Sequence, residues 1–216
     1  MHKTFTVLAA ALAVTFVATM ALQPAIGAQD RTAGDSKVPP PIKSANVKAG
    51  KALLEAKLVA SDLVPTDGSK GALGYGLVTS KGLDGIIVTP THAGVMDSAM
   101  QASASDPAWH NHFVKLGTAV DVCNPNAALG GARIEVQDLT FQSPGTVEVQ
   151  DRTIDLQNVP SQFRGTSSLT GDPLSIAPGN NVTAAVSFSL RPVLGSDGAL
   201  QHVCVENVAQ KEMPKK

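Results

Sequence analysis

The chain predicts an all-β fold, an antiparallel β-sandwich or flattened barrel of about eight strands, preceded by an export signal and a disordered linker. Three observations carry that expectation. Glycine and proline are abundant, with 19 and 14 residues, and such a density of turn-formers suits many short strands better than long helices. Alternating apolar and polar runs recur, separated by turn chemistry such as Thr66-Asp67-Gly68, Gly82-Leu83-Asp84-Gly85 and Asp151-Arg152. Aromatic residues make up only 4% of a chain that is 43% hydrophobic, so the core must be built mainly from Val, Leu, Ile and Ala.

Taken in order, Met1-His2-Lys3 is followed by an apolar stretch over 5–22, and Ile26-Gly27-Ala28 offers a small-residue cleavage site, so 1–28 reads as a signal peptide. The apolar stretch approaches a bilayer-spanning length, which leaves an uncleaved N-terminal anchor as the one membrane contact expected. Residues 29–48 are polar and hold Pro39-Pro40-Pro41, and they read as a disordered Pro-rich linker. The β-sandwich domain is expected over 49–209. Its first segment, 52–64, alternates at Leu54, Ala56, Leu58 and Ala60 and is expected to be a strand. Further strands are expected at 72–79, 84–90, 110–122, 132–141, 146–150, 153–158, 182–192 and 199–208. In the run Gly71 to Gly76, glycine is expected to permit close backbone packing or a bulge. A four-residue turn at 195–198 would set Leu190 opposite Val203, with His202 and Cys204 on the other face alongside Arg191, and a one-residue slip would reverse those faces. Residues 210–216 form a charged tail expected to fray.

A formal net charge of −1 leaves no electrostatic footprint for nucleic acid or anionic lipid. The protein or small-molecule partner stays undefined. Cys123 and Cys204 are the two cysteines, and in an oxidising compartment they are expected to form one disulfide. Closing a loop of that length would contribute about 4 kcal/mol on a chain-entropy basis. The alternative, two thiolate metal ligands, lacks a C-x-x-C pair. The expected location is extracytoplasmic, either secreted or periplasmic.

Three of the five histidines, His92, His110 and His112, fall close together in sequence. On a strand, residues i and i+2 face the same side about 7 Å apart, so His110 and His112 could converge on one ion, whereas on a helix they would diverge. Val114 and Leu116 extend the same parity as an apolar stripe. His92 ends the preceding strand, and an antiparallel return would bring it beside the pair. Such neutral nitrogen ligands suit zinc or copper. Asp97 and His202 are further candidate ligands, with helix capping before Ser98 and simple exposure as their structural alternatives. Trp109 and Phe113 have the opposite parity and are expected to pack against a second layer. Met96 and Met100 are expected in the core.

The order of H-x-H, a following cysteine and a C-terminal cysteine loosely resembles copper/zinc superoxide dismutases. That family's bridging and zinc-ligand histidines have no counterparts between His112 and His202, and no arginine immediately precedes Cys204. The H-x-H also resembles the start of a cupin motif, but Leu116 and Gly117 stand where its glutamate is expected. No family follows from either. The chain lacks a G-x-S-x-G elbow, a phosphate-binding loop and an H-E-x-x-H pair, so the expectation leans away from an enzyme. Two functions remain: an exported β-sandwich binding zinc or copper through three histidines, or a metal-free, disulfide-stabilised interaction or surface module without catalytic activity.

Overall fold

The computed structural model describes residues 38–118, 123, 134–197 and 200–214. The expected signal peptide and the first part of the expected linker lie outside the described residues. Those described form twelve strands: β1 (Ile42–Ala49), β2 (Leu53–Ala60), β3 (Leu73–Thr79), β4 (Ile86–Thr91), β5 (His112–Thr118), β6 (Ile134–Leu139), β7 (Thr146–Gln150), β8 (Thr153–Pro160), β9 (Phe163–Thr166), β10 (Pro173–Ile176), β11 (Val182–Leu194) and β12 (Leu200–Glu212). Six of them close into a barrel in the order β11-β12-β6-β5-β4-β3, with β11 also pairing β3. A four-stranded sheet, β1-β2-β8-β7, and the β9-β10 ribbon complete the sheets. Every strand pairing is antiparallel. The protein is therefore all-β, combining a closed barrel with a packed second sheet.

The alternation in the sequence resolves into two cores. Leu54, Ala56, Leu58 and Ala60 of β2 are all buried, and they join Ile154, Leu156 and Val159 of β8 against Tyr75, Leu77, Ile87 and Phe113 on the outer wall of the barrel. The change of parity between Leu156 and Val159 comes from a register shift opposite β2, beside Asn158 at φ 55°, where an extra residue reverses which side chains face inward. The second core lines the barrel interior, with Ile86 and Val88 of β4, Val114 and Leu116 of β5, and Val186 and Phe188 of β11. Strand β3 serves both cores at once. Its Tyr75 and Leu77 face the sheet, while a Cβ at Gly74 would stand 2.8 Å from Phe188 Cζ. Glycine is needed there because the barrel-filling phenyl ring presses on the backbone.

The structure corrects several expectations. Part of the segment read as linker, Ile42–Ala49, is strand β1. It buries only Ile42 fully and is held by backbone pairing along β2, so it carries no strong apolar period. The tail expected to fray from Gln210 instead continues β12 to Glu212, paired as far as Ala184 of β11. Met96 and Met100 are 51% and 60% exposed, not core. At the final hairpin Leu190 lies opposite Val205 and Arg191 opposite Cys204. This is a two-residue displacement from the simple turn, and because the side-chain period is two it leaves Arg191, His202 and Cys204 on one face as expected, while the irregularity at Asn207 turns Val208 towards the barrel core.

Candidate metal centre

Pairing of β4 with β5 builds the site. Val88 stands opposite His112, and the His110 N–H donates to the Pro90 carbonyl at 3.3 Å, so Trp109 to His112 runs extended beside the end of β4 and brings His92 to the same end of the barrel. Thr91 Oγ1 donates to the Pro107 carbonyl at 2.6 Å and ties the returning chain down.

The loop between them is organised by the buried side chain of Gln101. Its Oε1 accepts from the backbone N–H groups of Asp97 (3.1 Å) and Ser98 (3.2 Å), and its Nε2 donates to the carbonyls of Val95 and Asp106. The donors that an Asp97 cap would serve are taken by other groups, the Ala99 N–H by the Phe141 carbonyl (2.9 Å) and the Met100 N–H by Ser98 Oγ (3.3 Å), and the Asp97 carboxylate turns inward. Asp106 braces the loop further by accepting from Ala102 and Ala108. Ser168 Oγ donates to the Asp97 carbonyl and fixes the loop to the β9-β10 turn.

Around that carboxylate the imidazoles converge. His92 Nε2 lies 3.1 Å and His112 Nε2 3.6 Å from Asp97 Oδ2, and His110 Nε2 lies 3.2 Å from Asp97 Oδ1. His92, Asp97 and His110 each offer one ligand atom within 4.8 Å of the others, a buried group that could hold a metal ion. The rings stack edge to face, with centroids 5.0 Å apart for His92 and His110 and 4.7 Å for His110 and His112.

The outer nitrogens fix the tautomers. His110 Nδ1 is 2.7 Å from the Ala108 carbonyl and His112 Nδ1 is 2.6 Å from the Thr140 carbonyl. A carbonyl can only accept, so both Nδ1 atoms carry protons, and in a neutral ring Nε2 is then an acceptor. Both Nε2 atoms are buried without a hydrogen-bond partner, as is Asp97 Oδ1. The 3.2 Å approach of His110 to Asp97 is thus a close contact without hydrogen-bond geometry. Burial pushes the His110 pKa down, outweighing the attraction of Asp97, and so favours the neutral ring.

The structure thus brings His92, Asp97, His110 and His112 together. His202 is placed elsewhere, on β12, with Nδ1 3.3 Å from Glu135 Oε2. Trp109 and Phe113 point away from the site as their parity requires. Trp109 stacks on Tyr75, Phe113 meets Phe163 edge to face, and both pack into the core under the four-stranded sheet. Gln101 and the carbonyls of Ala108 and Thr140 escaped the sequence, because a loop amide and a backbone oxygen leave no residue-type signature. Cys123 and Cys204 form the expected disulfide, with Cα atoms 5.3 Å apart, which fits an oxidising, extracytoplasmic environment. Among the described residues no helix is long and apolar enough to cross a membrane. No protein-family model, curated protein or solved structure matches the chain.

Proposed function

We propose that this is an exported β-barrel protein that binds one transition metal ion, zinc or copper, through Nε2 of His92, His110 and His112, with the Asp97 carboxylate as fourth ligand. The observation that carries this function is the pair of buried, partnerless Nε2 atoms on His110 and His112, which bear lone pairs in the neutral ring whose proton is on Nδ1, beside the Asp97 carboxylate. Lone pairs facing a carboxylate repel it, and a buried acceptor without a partner costs about 1–3 kcal/mol. A divalent cation at the centre converts each repulsion into a bond. The Nδ1–H to carbonyl contacts are those that commonly orient metal-bound histidine. Bonds of about 2.0–2.1 Å in tetrahedral array separate ligand atoms by about 3.4 Å; the His to Asp97 distances of 3.1, 3.2 and 3.6 Å lie around that value, and His112 joins as a further ligand to the trio His92, Asp97 and His110, whose ligand atoms all lie within 4.8 Å. Nitrogen-rich coordination favours zinc or copper over calcium and magnesium, which take oxygen ligands. Export is supported by the disulfide and by the apolar N-terminal run.

Elemental analysis of protein purified from metal-replete culture tests the proposal. About one zinc or copper per chain is expected, lost in His110→Ala and His112→Ala. No bound metal, together with a melting temperature unmoved by zinc or copper, would leave the metal-free interaction module in its place.

A further inference from the structure

The barrel interior is not filled by its own side chains. A cavity of about 310 Å³ runs through it, walled by apolar residues such as Val88, Val114, Val136, Val186 and Phe188, with Asp97, His112 and Ser168 as the polar groups on its wall. Asp97 and His112 are both members of the candidate metal centre, so that centre lies at one end of an apolar chamber. Met96 and Leu169 are also on the wall and are 51% and 39% exposed, which puts the opening to solvent beside the polar end. A second cavity of about 160 Å³ reaches the same Asp97 together with His92.

We infer that the barrel binds a medium-chain aliphatic monocarboxylate, its chain in the apolar chamber and its carboxylate on the metal held by the histidines. This rests on the metal function proposed above. An apolar cavity of about 150 Å³ holds a benzene molecule, so twice that volume accommodates a ligand of about a dozen non-hydrogen atoms, the size of decanoate. The wall offers no polar partner along the chain, which selects an aliphatic body over a sugar or a peptide. Charge selects the head: a divalent ion with three neutral imidazoles and the Asp97 carboxylate leaves one uncompensated positive charge in a buried site, which a monoanion neutralises. Zinc accepts such an additional oxygen by expanding to five-coordination. Without the ion, Asp97 repels the same carboxylate.

Isothermal titration of zinc-loaded and chelator-stripped protein with sodium decanoate and with decan-1-ol tests this. Decanoate should bind the zinc-loaded protein at least tenfold more tightly than the stripped protein, while decan-1-ol binds both within about threefold. Hexadecanoate, too long for the chamber, should bind at least tenfold more weakly than decanoate. Val186→Phe, which fills part of the chamber lined by Val186, should weaken both decanoate and decan-1-ol at least tenfold while retaining one zinc per chain. Val136→Phe provides the same test from β6 if the first variant does not fold. One zinc per chain with neither compound taken up would overturn the inference and leave the metal function standing. No zinc, with decanoate and decan-1-ol bound alike, would overturn the metal function and the head-group contact together.

Discussion

Replacing Asp97 by asparagine separates a cation site from an ordinary cluster of ion pairs, because the two predict opposite signs. In the metal-free protein Asp97 Oδ1 and His110 Nε2 are two acceptors 3.2 Å apart, both buried and neither satisfied. In Asp97→Asn the amide nitrogen can occupy the Oδ1 position and donate to His110, while the amide oxygen stays beside His92 at the Oδ2 position. Satisfying a buried orphan acceptor is worth about 1–3 kcal/mol, and losing the charge-assisted part of the His92 contact subtracts roughly 1 kcal/mol. The metal-free variant should therefore be as stable as the parent or more stable by up to about 2 kcal/mol, which for a protein of this size raises the melting temperature by up to about 8 °C. With zinc the order reverses. At a zinc concentration a hundredfold above Kd the parent gains about 2.7 kcal/mol, whereas the variant, missing its anionic ligand, gains far less. Scanning calorimetry of chelator-treated protein at pH 7.5, with and without zinc, reads both effects. A metal-free variant melting below the parent would refute the reasoning, since it would mean that imidazolium ions, not lone pairs, face Asp97.

Other outcomes follow from the same geometry. His110→Ala and His112→Ala should each lower zinc affinity by at least a hundredfold while retaining the disulfide and the strand content, as read by dialysis and far-ultraviolet circular dichroism. Zinc affinity should fall as pH drops below about 6.5, because protons compete for the same nitrogens; equal affinity at pH 5 and pH 7.5 would contradict this. The metal-free protein should also lose stability on acidification. The pKa of His110 is depressed by burial in the fold, so the unfolded chain takes up this proton first, below about pH 6.5, a loss visible in urea midpoints. Reducing the Cys123–Cys204 bond, which spans 81 residues, should cost about 4 kcal/mol on the chain-entropy account, checked by denaturant titration with and without a reductant.

Strands that bury one face announced themselves through alternation, as β2 illustrates, and the shared parity of His110 and His112 followed from the same period of two. Where the stabilising interaction was backbone pairing, the sequence was silent. Strand β1 buries little beyond Ile42, and the end of β12 carries Gln210, Lys211 and Glu212 into the sheet because β11 is long enough to pair with them. Closure of the barrel rests on the pairing of β3 with β11, over a hundred residues apart, which no local pattern encodes. Asp97 was a candidate ligand only by proximity. Its inward turn goes with the Phe141 carbonyl and Ser98 Oγ occupying the N–H groups it would otherwise cap, in a loop braced by Gln101, a tertiary arrangement with no period to read.

The pentapeptide from Trp109 to Phe113 has two duties. Its odd-numbered aromatic rings are wedged beneath the outer sheet, and its even-numbered imidazoles grip the ion site, so the same few peptide planes transmit force in both directions. A cation drawn tightly to His110 and His112 would also clamp Trp109 and Phe113, slowing amide exchange in β2 and β8 although neither strand touches the ion. Conversely, trimming Phe113 to leucine would slacken the grip on the metal from a distance, and the protein's ion occupancy would report how firmly its two layers are packed.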